Sequence, residues 1–136
     1  FDVICMFQVL DHIPDPGNLL AECLRLLRSD GFILCINHNV DAISVRFLRD
    51  RSPIVDIEHT YLYGPDTMRR LFEAQAFHVE GIGPVYNTYT LYYLARLAPF
   101  PTWLKGRIMS LLKEKALGRL RTTVPLGNIY LIAQKI

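Results

Sequence analysis

The chain has no apolar run approaching the ~20 residues a membrane-spanning helix needs, so no helical span is expected. It has only three cysteines, Cys5, Cys23 and Cys35, and none shares a C-x-x-C or Cys/His ligand spacing with another. That argues against a zinc module or a disulfide scaffold, and no metal site is expected. Each cysteine sits in an apolar segment and reads as a reduced core thiol of a cytoplasmic protein. There are no internal repeats and no low-complexity tracts, which argues against a solenoid or a disordered linker. The sequence opens on Phe1 without an initiator Met, a basic region or a signal-peptide pattern. "FDVICMF" reads as the inside of a strand, and the chain is expected to be part of something longer. Acidic residues are nearly missing from 88–121, where seven Lys and Arg face Glu114 alone, a local charge of +6 in a chain of net +2.

What is present is one domain's worth of sequence, 136 residues with about half of them hydrophobic, enough for a real core. Phe1 to Met6 reads as a fully buried strand. Asp15 suits a helix N-cap and Pro16 its first turn. Leu19, Leu20, Cys23, Leu24 and Leu27 then recur on one helical face, and Gly31 is placed to end the helix in a left-handed conformation. Phe32 to Ile36 is a second continuous apolar run. Strand, helix and strand in this span predict a βαβ unit with parallel strands. A long polar stretch follows, with a short helix expected over 42–48. A further helix begins at Gly64-Pro65-Asp66 and turns Met68, Leu71 and Phe72 inward. Strands are expected over 77–83 and 128–134, with two helices over 88–98 and 103–117 broken at Pro99 and Pro101.

"FDVICMFQVLDHIPDPGNLLAECLRLLRSDGFILCI" resembles the second half of a class I S-adenosylmethionine-dependent methyltransferase. The likeness lies in Phe-Asp opening a strand, Val-Leu-Asp-His after it, Asp-Pro, a Leu-rich helix with a Gly turn, and an apolar strand. "EHTYLYGPDTMRRLFEAQAFHVEGI" is similar to the ubiquinone-methyltransferase-like subgroup (the type 11 and type 23 methyltransferases), and "LGNIYLIAQKI" resembles that fold's closing antiparallel strand. The resemblance implies an α/β fold, a partial Rossmann-like sheet holding strands 4-5-7-6 of the order 3-2-1-4-5-7-6. Its core would be 1–87 and 122–136, with a basic helical insert over 88–121 between strands 6 and 7. No Gly-x-Gly-x-Gly occurs, so the glycine-loop half of the cofactor site and the rest of the N-terminal half are expected outside this chain. Two departures from the pattern are local: Ala76 stands where a helix-ending Gly is usual, and Gly64 where a hydroxyl cap is common.

The implied cofactor is S-adenosylmethionine, and ligands of open α/β sheets gather at the carboxyl ends of the strands. By resemblance Phe7, Gln8 and Val9 run alongside the cofactor's methionine part, with Asp11 and His12 in the same loop. His12 also has a plain structural reading, fixing the loop. Alignment of nucleophile, methyl and sulfur is the main task of such an enzyme, and an oxygen or nitrogen nucleophile also needs a base. His59 and His38 are the candidates, His59 being preferred because it falls in the subgroup's segment, although a structural role for it is equally open. Asn37, Asn39, Tyr61 and Tyr89 are candidate acceptor contacts. The expected activity is methyl transfer to a small molecule: a quinone precursor, a sugar or a lipid-linked metabolite. The alternative is a non-catalytic methyltransferase-like module that binds a partner or a membrane surface through the basic insert. No motif points to nucleic acid.

Overall fold

The computed structural model describes residues 1–48, 52, 59–114 and 116–136, which fall into two compact units, residues 1–85 with 126–136, and residues 86–125. In the first unit β1 (Val3–Phe7) leads through a 3-10 turn (Leu10–His12) into α1 (Pro16–Leu26) and then β2 (Phe32–His38). The α1 start follows its sequence: Asp15 Oδ1 accepts from the Asn18 N–H at 3.0 Å, and Pro16 occupies the first turn. After α2 (Ile43–Leu48) come α3 (Pro65–Glu73), β3 (Phe77–Pro84) and, after the second unit, β6 (Asn128–Lys135). The sheet order is β1-β2-β6-β3, with β1 and β2 parallel and β6 antiparallel to both neighbours. The last strand therefore lies between the second and third, as the resemblance implied.

One face of this sheet is closed by helices. Leu20, Cys23 and Leu27 from the first βαβ segment and Met68 and Phe72 from α3 pack on Ile33, Cys35, Val79, Leu131 and Ala133, all buried. The other face is not covered within the unit. Val3, Cys5 and Phe7 on β1 and Phe32 on β2 are exposed there, and Leu34 and Ile36 are half-buried. The expectation of strands buried on both faces is thus corrected: both helices lie on one side, so burial alternates with the two-residue pleat. Cys5 leaves the predicted core for the same reason.

The turn after α1 also differs. No glycine has positive φ; Asp30 does, at 61°, and Gly31 does not. A Cβ on Gly31 would meet Arg28 O and Leu27 Cδ2, both at 3.0 Å. Gly31 is there for close approach, and the left-handed residue is the exposed Asp30, a type that tolerates it. The carbonyls at the end of α1 are served from far away: Lys135 Nζ on β6 donates to Leu24 O at 2.7 Å and Leu27 O at 2.9 Å. Ala76 does take the left-handed position, φ 57°. A Cβ on Gly64 would meet the end of the exposed Asp41 side chain, which would have to swing aside; the Thr67 hydroxyl accepts from the Gly64 N–H at 2.9 Å.

The second unit holds β4 (Asn87–Thr90), α4 (Leu91–Leu97), α5 (Thr102–Glu114) and β5 (Arg121–Val124), with β4 and β5 pairing antiparallel. Residues 88–90, expected in a helix, form a strand instead. Thr88, Tyr89 and Thr90 are strand-favouring types opposite Thr122 and Thr123. Thr90 then caps α4 by accepting from the Tyr93 N–H at 3.2 Å. Among the described residues no helix is long and apolar enough to cross a membrane.

Candidate active site

The carboxyl ends of the parallel strands β1 and β2 open onto the loop 8–13 and the segment 39–42. A third segment joins them: Thr60 N and Tyr61 N donate to Asp11 O at 2.8 and 3.2 Å, and Val40 N donates to Tyr63 O at 2.9 Å. These bonds gather three of the chain's four histidines around one carboxylate. Asp11 is 1% exposed. His38 Nδ1 lies 2.7 Å from Asp11 Oδ2, His59 Nε2 lies 3.8 Å from the same oxygen, and His12 Nε2 lies 3.8 Å from Oδ1. The His59 ring meets His38 edge-on at 4.7 Å and His12 at 4.9 Å. A carboxylate only accepts, so the 2.7 Å contact sets His38 with its proton on Nδ1 and leaves Nε2 as the basic nitrogen.

Exposure separates the two candidate bases. The His38 side chain is 24% exposed, whereas that of His59 is 7% exposed and its Nδ1 has no partner among the described residues. Glu58, next to His59 in sequence, lies outside the described residues. Asp11, read from the sequence as a cofactor contact, turns its carboxylate inward to the imidazoles. Asn37, read as an acceptor contact, is fully buried at the end of β2. With its amide oxygen and nitrogen assigned by the surrounding donors and acceptors, it accepts from Asp11 N at 3.0 Å and donates to Ile36 O at 2.9 Å, so it pins the loop. Asn39 Oδ1 accepts from Asp41 N at 3.0 Å, closing a local turn. Tyr61 is 44% exposed, and its hydroxyl donates to Pro14 O at 3.2 Å. Tyr89 belongs to the second unit, stacked on Tyr93 with centroids 5.4 Å apart. His78 is exposed on β3 beside Glu80.

Two neighbouring groups are chemically quiet. Burial first, then the Asp11 carboxylate, pushes the Cys35 thiol up to about 12, so it is no nucleophile near neutrality. Burial chiefly, with Tyr61 and then Asp11 adding to it, pushes the Tyr63 phenol up to about 12, and its hydroxyl has no partner among the described residues. Asp11, His38 and His59 bring one ligand atom each within 4.8 Å of one another, a donor set able to hold a divalent cation. The 2.7 Å Asp11–His38 spacing is that of a hydrogen bond.

The loop before this cluster has its own strain. Gln8 has φ 56°, its N–H donates to Ile36 O at 2.8 Å, and its Nε2 donates to Asn128 Oδ1 at 3.3 Å. Its Oε1 is buried without a partner among the described residues, and it is flanked by the exposed Phe7 and Val9. An unmet acceptor between two bare apolar side chains fits a ligand that is both apolar and hydrogen-bonding.

Residues 1–81 match a family described as "Methyltransferase domain". The chain belongs to that family. Among curated relatives, this methyltransferase-domain chain is 24% identical over 98 residues to a ubiquinone biosynthesis O-methyltransferase of Shewanella halifaxensis, a match covering 66% of this chain and 42% of the relative. The chain thus spans less than half the length of that relative. Among solved structures it is similar to a SAM-dependent methyltransferase of Archaeoglobus fulgidus, with TM-score 0.60, 17% identity, and 99% of this chain and 59% of the other covered. It is also similar to the [4+2]-cyclase SpnF, with TM-score 0.52, 13% identity, and 99% and 49% covered. These neighbours share the Rossmann-like α/β fold. The cyclase shows that this methyltransferase architecture also carries other chemistry, so the site must decide.

Proposed function

We propose that the protein transfers a methyl group from S-adenosylmethionine to a hydroxyl of a small molecule, with a quinone precursor as the first acceptor to try. His38 is the general base and Asp11 the group that holds it. The observation that carries this reading is the 2.7 Å contact between a fully buried carboxylate and a half-buried imidazole at the carboxyl end of β2. S-Adenosylmethionine, when bound, supplies an electrophilic methyl group on a sulfonium. Phe7, Gln8 and Val9 would hold it, the orphaned Gln8 Oε1 offering an acceptor and the two apolar side chains a dry wall.

The chain's own residues then have three tasks. They orient the acceptor hydroxyl, take its proton, and keep water away. His38 Nε2 takes the proton, Asp11 stabilises the imidazolium that results, and His59 packs edge-on to keep the ring in place. The acceptor class is supported by the printed name of the Shewanella relative, an O-methyltransferase of ubiquinone biosynthesis. A sugar and a lipid-linked metabolite are the comparison acceptors. The test uses the full-length protein with S-adenosylmethionine and each acceptor, following S-adenosylhomocysteine and the methylated product. Acceptor-dependent turnover is expected, falling ~100-fold or more in His38→Asn with cofactor affinity kept. Retained cofactor binding without transfer to any hydroxyl would overturn the reading.

A further inference from the structure

The second unit carries the basic segment, and part of that charge converges on one place. Lys113, Arg119 and Arg121 line one open depression of about 520 Å³, called a cavity below. Its walls are completed by the half-buried Tyr92 and Leu112, with Thr90 at the rim. Backbone pairing builds the cavity. Arg121 pairs with Thr90 across the β4–β5 ladder, and Leu91 N donates to Leu120 O at 2.9 Å. Gly118 is buried against the Leu112 carbonyl so closely that a Cβ there would collide with it. The chain therefore folds back over the end of α5 and brings Arg119 to the side of Lys113.

None of these three cations has an ion pair or a side-chain hydrogen bond among the described residues. Among the described side chains at the end of α5 no acid answers them, and the backbone there offers the partial negative charge of a helix C-terminus, about half an elementary charge. Three full charges exceed it and repel one another. All three side chains are exposed, so water screens part of this repulsion, and together they present a positive field that an anion would complement. Guanidinium forks match phosphate oxygens in geometry, and the volume lies in the range of small-molecule pockets. Tyr92 and Leu112 supply an apolar wall beside the cations.

We propose that this cavity binds a phosphate ester, the phosphate on Lys113, Arg119 and Arg121 and the organic part against Tyr92 and Leu112. The proposal rests on the second unit alone and does not use the methyl-transfer reading. The phosphate can belong to a soluble ester or to a phospholipid headgroup, and the test separates the two. The full-length protein is titrated with phenyl phosphate, with inorganic phosphate, and with vesicles of phosphatidylglycerol against phosphatidylcholine. Two variants are compared, Lys113→Gln/Arg119→Gln in the cavity and Arg96→Gln/Arg107→Gln elsewhere on the same unit. Both remove two exposed charges, so diffuse attraction falls equally in each.

Saturable binding is expected, tighter for phenyl phosphate than for inorganic phosphate. It should weaken about thirtyfold or more in the cavity variant and less than about threefold in the control. Saturation by phenyl phosphate identifies a soluble ester. Binding to phosphatidylglycerol vesicles alone, lost in the cavity variant, identifies a headgroup. Equal losses in both variants, or no saturable binding to any probe, overturns the proposal. If the double variant does not fold, Arg119→Gln alone carries the comparison.

Discussion

Replacing Asp11 by Asn tests the role of the buried carboxylate most directly. Asn keeps the volume and an oxygen able to accept from His38 Nδ1, so the ring keeps its tautomer. What is lost is charge. A hydrogen bond to a charged group contributes roughly 1.5–3 kcal/mol and a neutral one roughly 0.5–1.5. The imidazolium formed as the acceptor's proton moves therefore loses ~1–2 kcal/mol of stabilisation, and kcat falls about 5–30-fold. The acceptor's KM should change little, because no ground-state contact is removed. Steady-state kinetics of the full-length protein measure this, and a double-mutant cycle with His38→Asn decides its cause. If Asp11 acts through His38, Asp11→Asn has almost no further effect once His38 is gone. An equal loss of kcat in both backgrounds would refute the argument and leave Asp11 as a structural residue only.

Four further outcomes are expected. Lys135→Met removes both bonds to the end of α1, at 2.7 and 2.9 Å, and should lower unfolding free energy by about 2 kcal/mol in urea titration. Ala76→Gly relieves a left-handed backbone at an exposed position and should stabilise by ~1 kcal/mol, seen as a higher melting temperature. Cys35 and Tyr63 hold their protons up to about 12 in the folded chain, whereas the unfolded chain releases them near pH 8.5 and 10. Stability is therefore full below about pH 8.5 and lost as pH rises toward 12; Tyr63→Phe should remove the part above pH 10 and cost nothing at pH 7, since the hydroxyl has no partner among the described residues. Iodoacetamide at pH 8 should modify the exposed Cys5 in the folded protein and spare Cys23 and Cys35, as peptide mass mapping would report; labelling of Cys35 at the rate of Cys5 would contradict its burial.

Much of the fold was legible because its signals are local. Asp15 and Pro16 mark the start of α1, Met68 and Phe72 mark the inner face of α3, and Ala76 marks a left-handed stop. Less was legible where the deciding partner is distant. The end of α1 depends on Lys135, over a hundred residues away. The Thr88–Thr90 strand needs Thr122 and Thr123 to declare itself. The site shows the same division. The sequence offered the loop and two candidate bases, His59 ahead of His38. It sent Asp11 to the cofactor and Asn37 to the acceptor because both types sit at strand ends, where ligands gather. Only the fold brings His38 and His59 to Asp11, and only burial separates the half-exposed imidazole from the enclosed one. One signal was available: a chain with four histidines places three of them at strand ends or in family segments.

The strand order also has a consequence for how the chain comes to be folded. β6 sits at the centre of the sheet, between β2 and β3, yet it follows both of them in the chain, the last of the described strands. His38 must wait for Asn128 and Phe32 for Gln134, a gap of about ninety residues or more. At typical synthesis speeds of roughly 5–20 residues per second, β2 leaves the ribosome some 5–20 s before its partner exists. During that time the Phe32–Ile36 edge is open and sticky. A nascent chain of this kind would gain from a chaperone bound between β2 and β6, and synonymous codons that slow that interval would lower its yield without altering one residue.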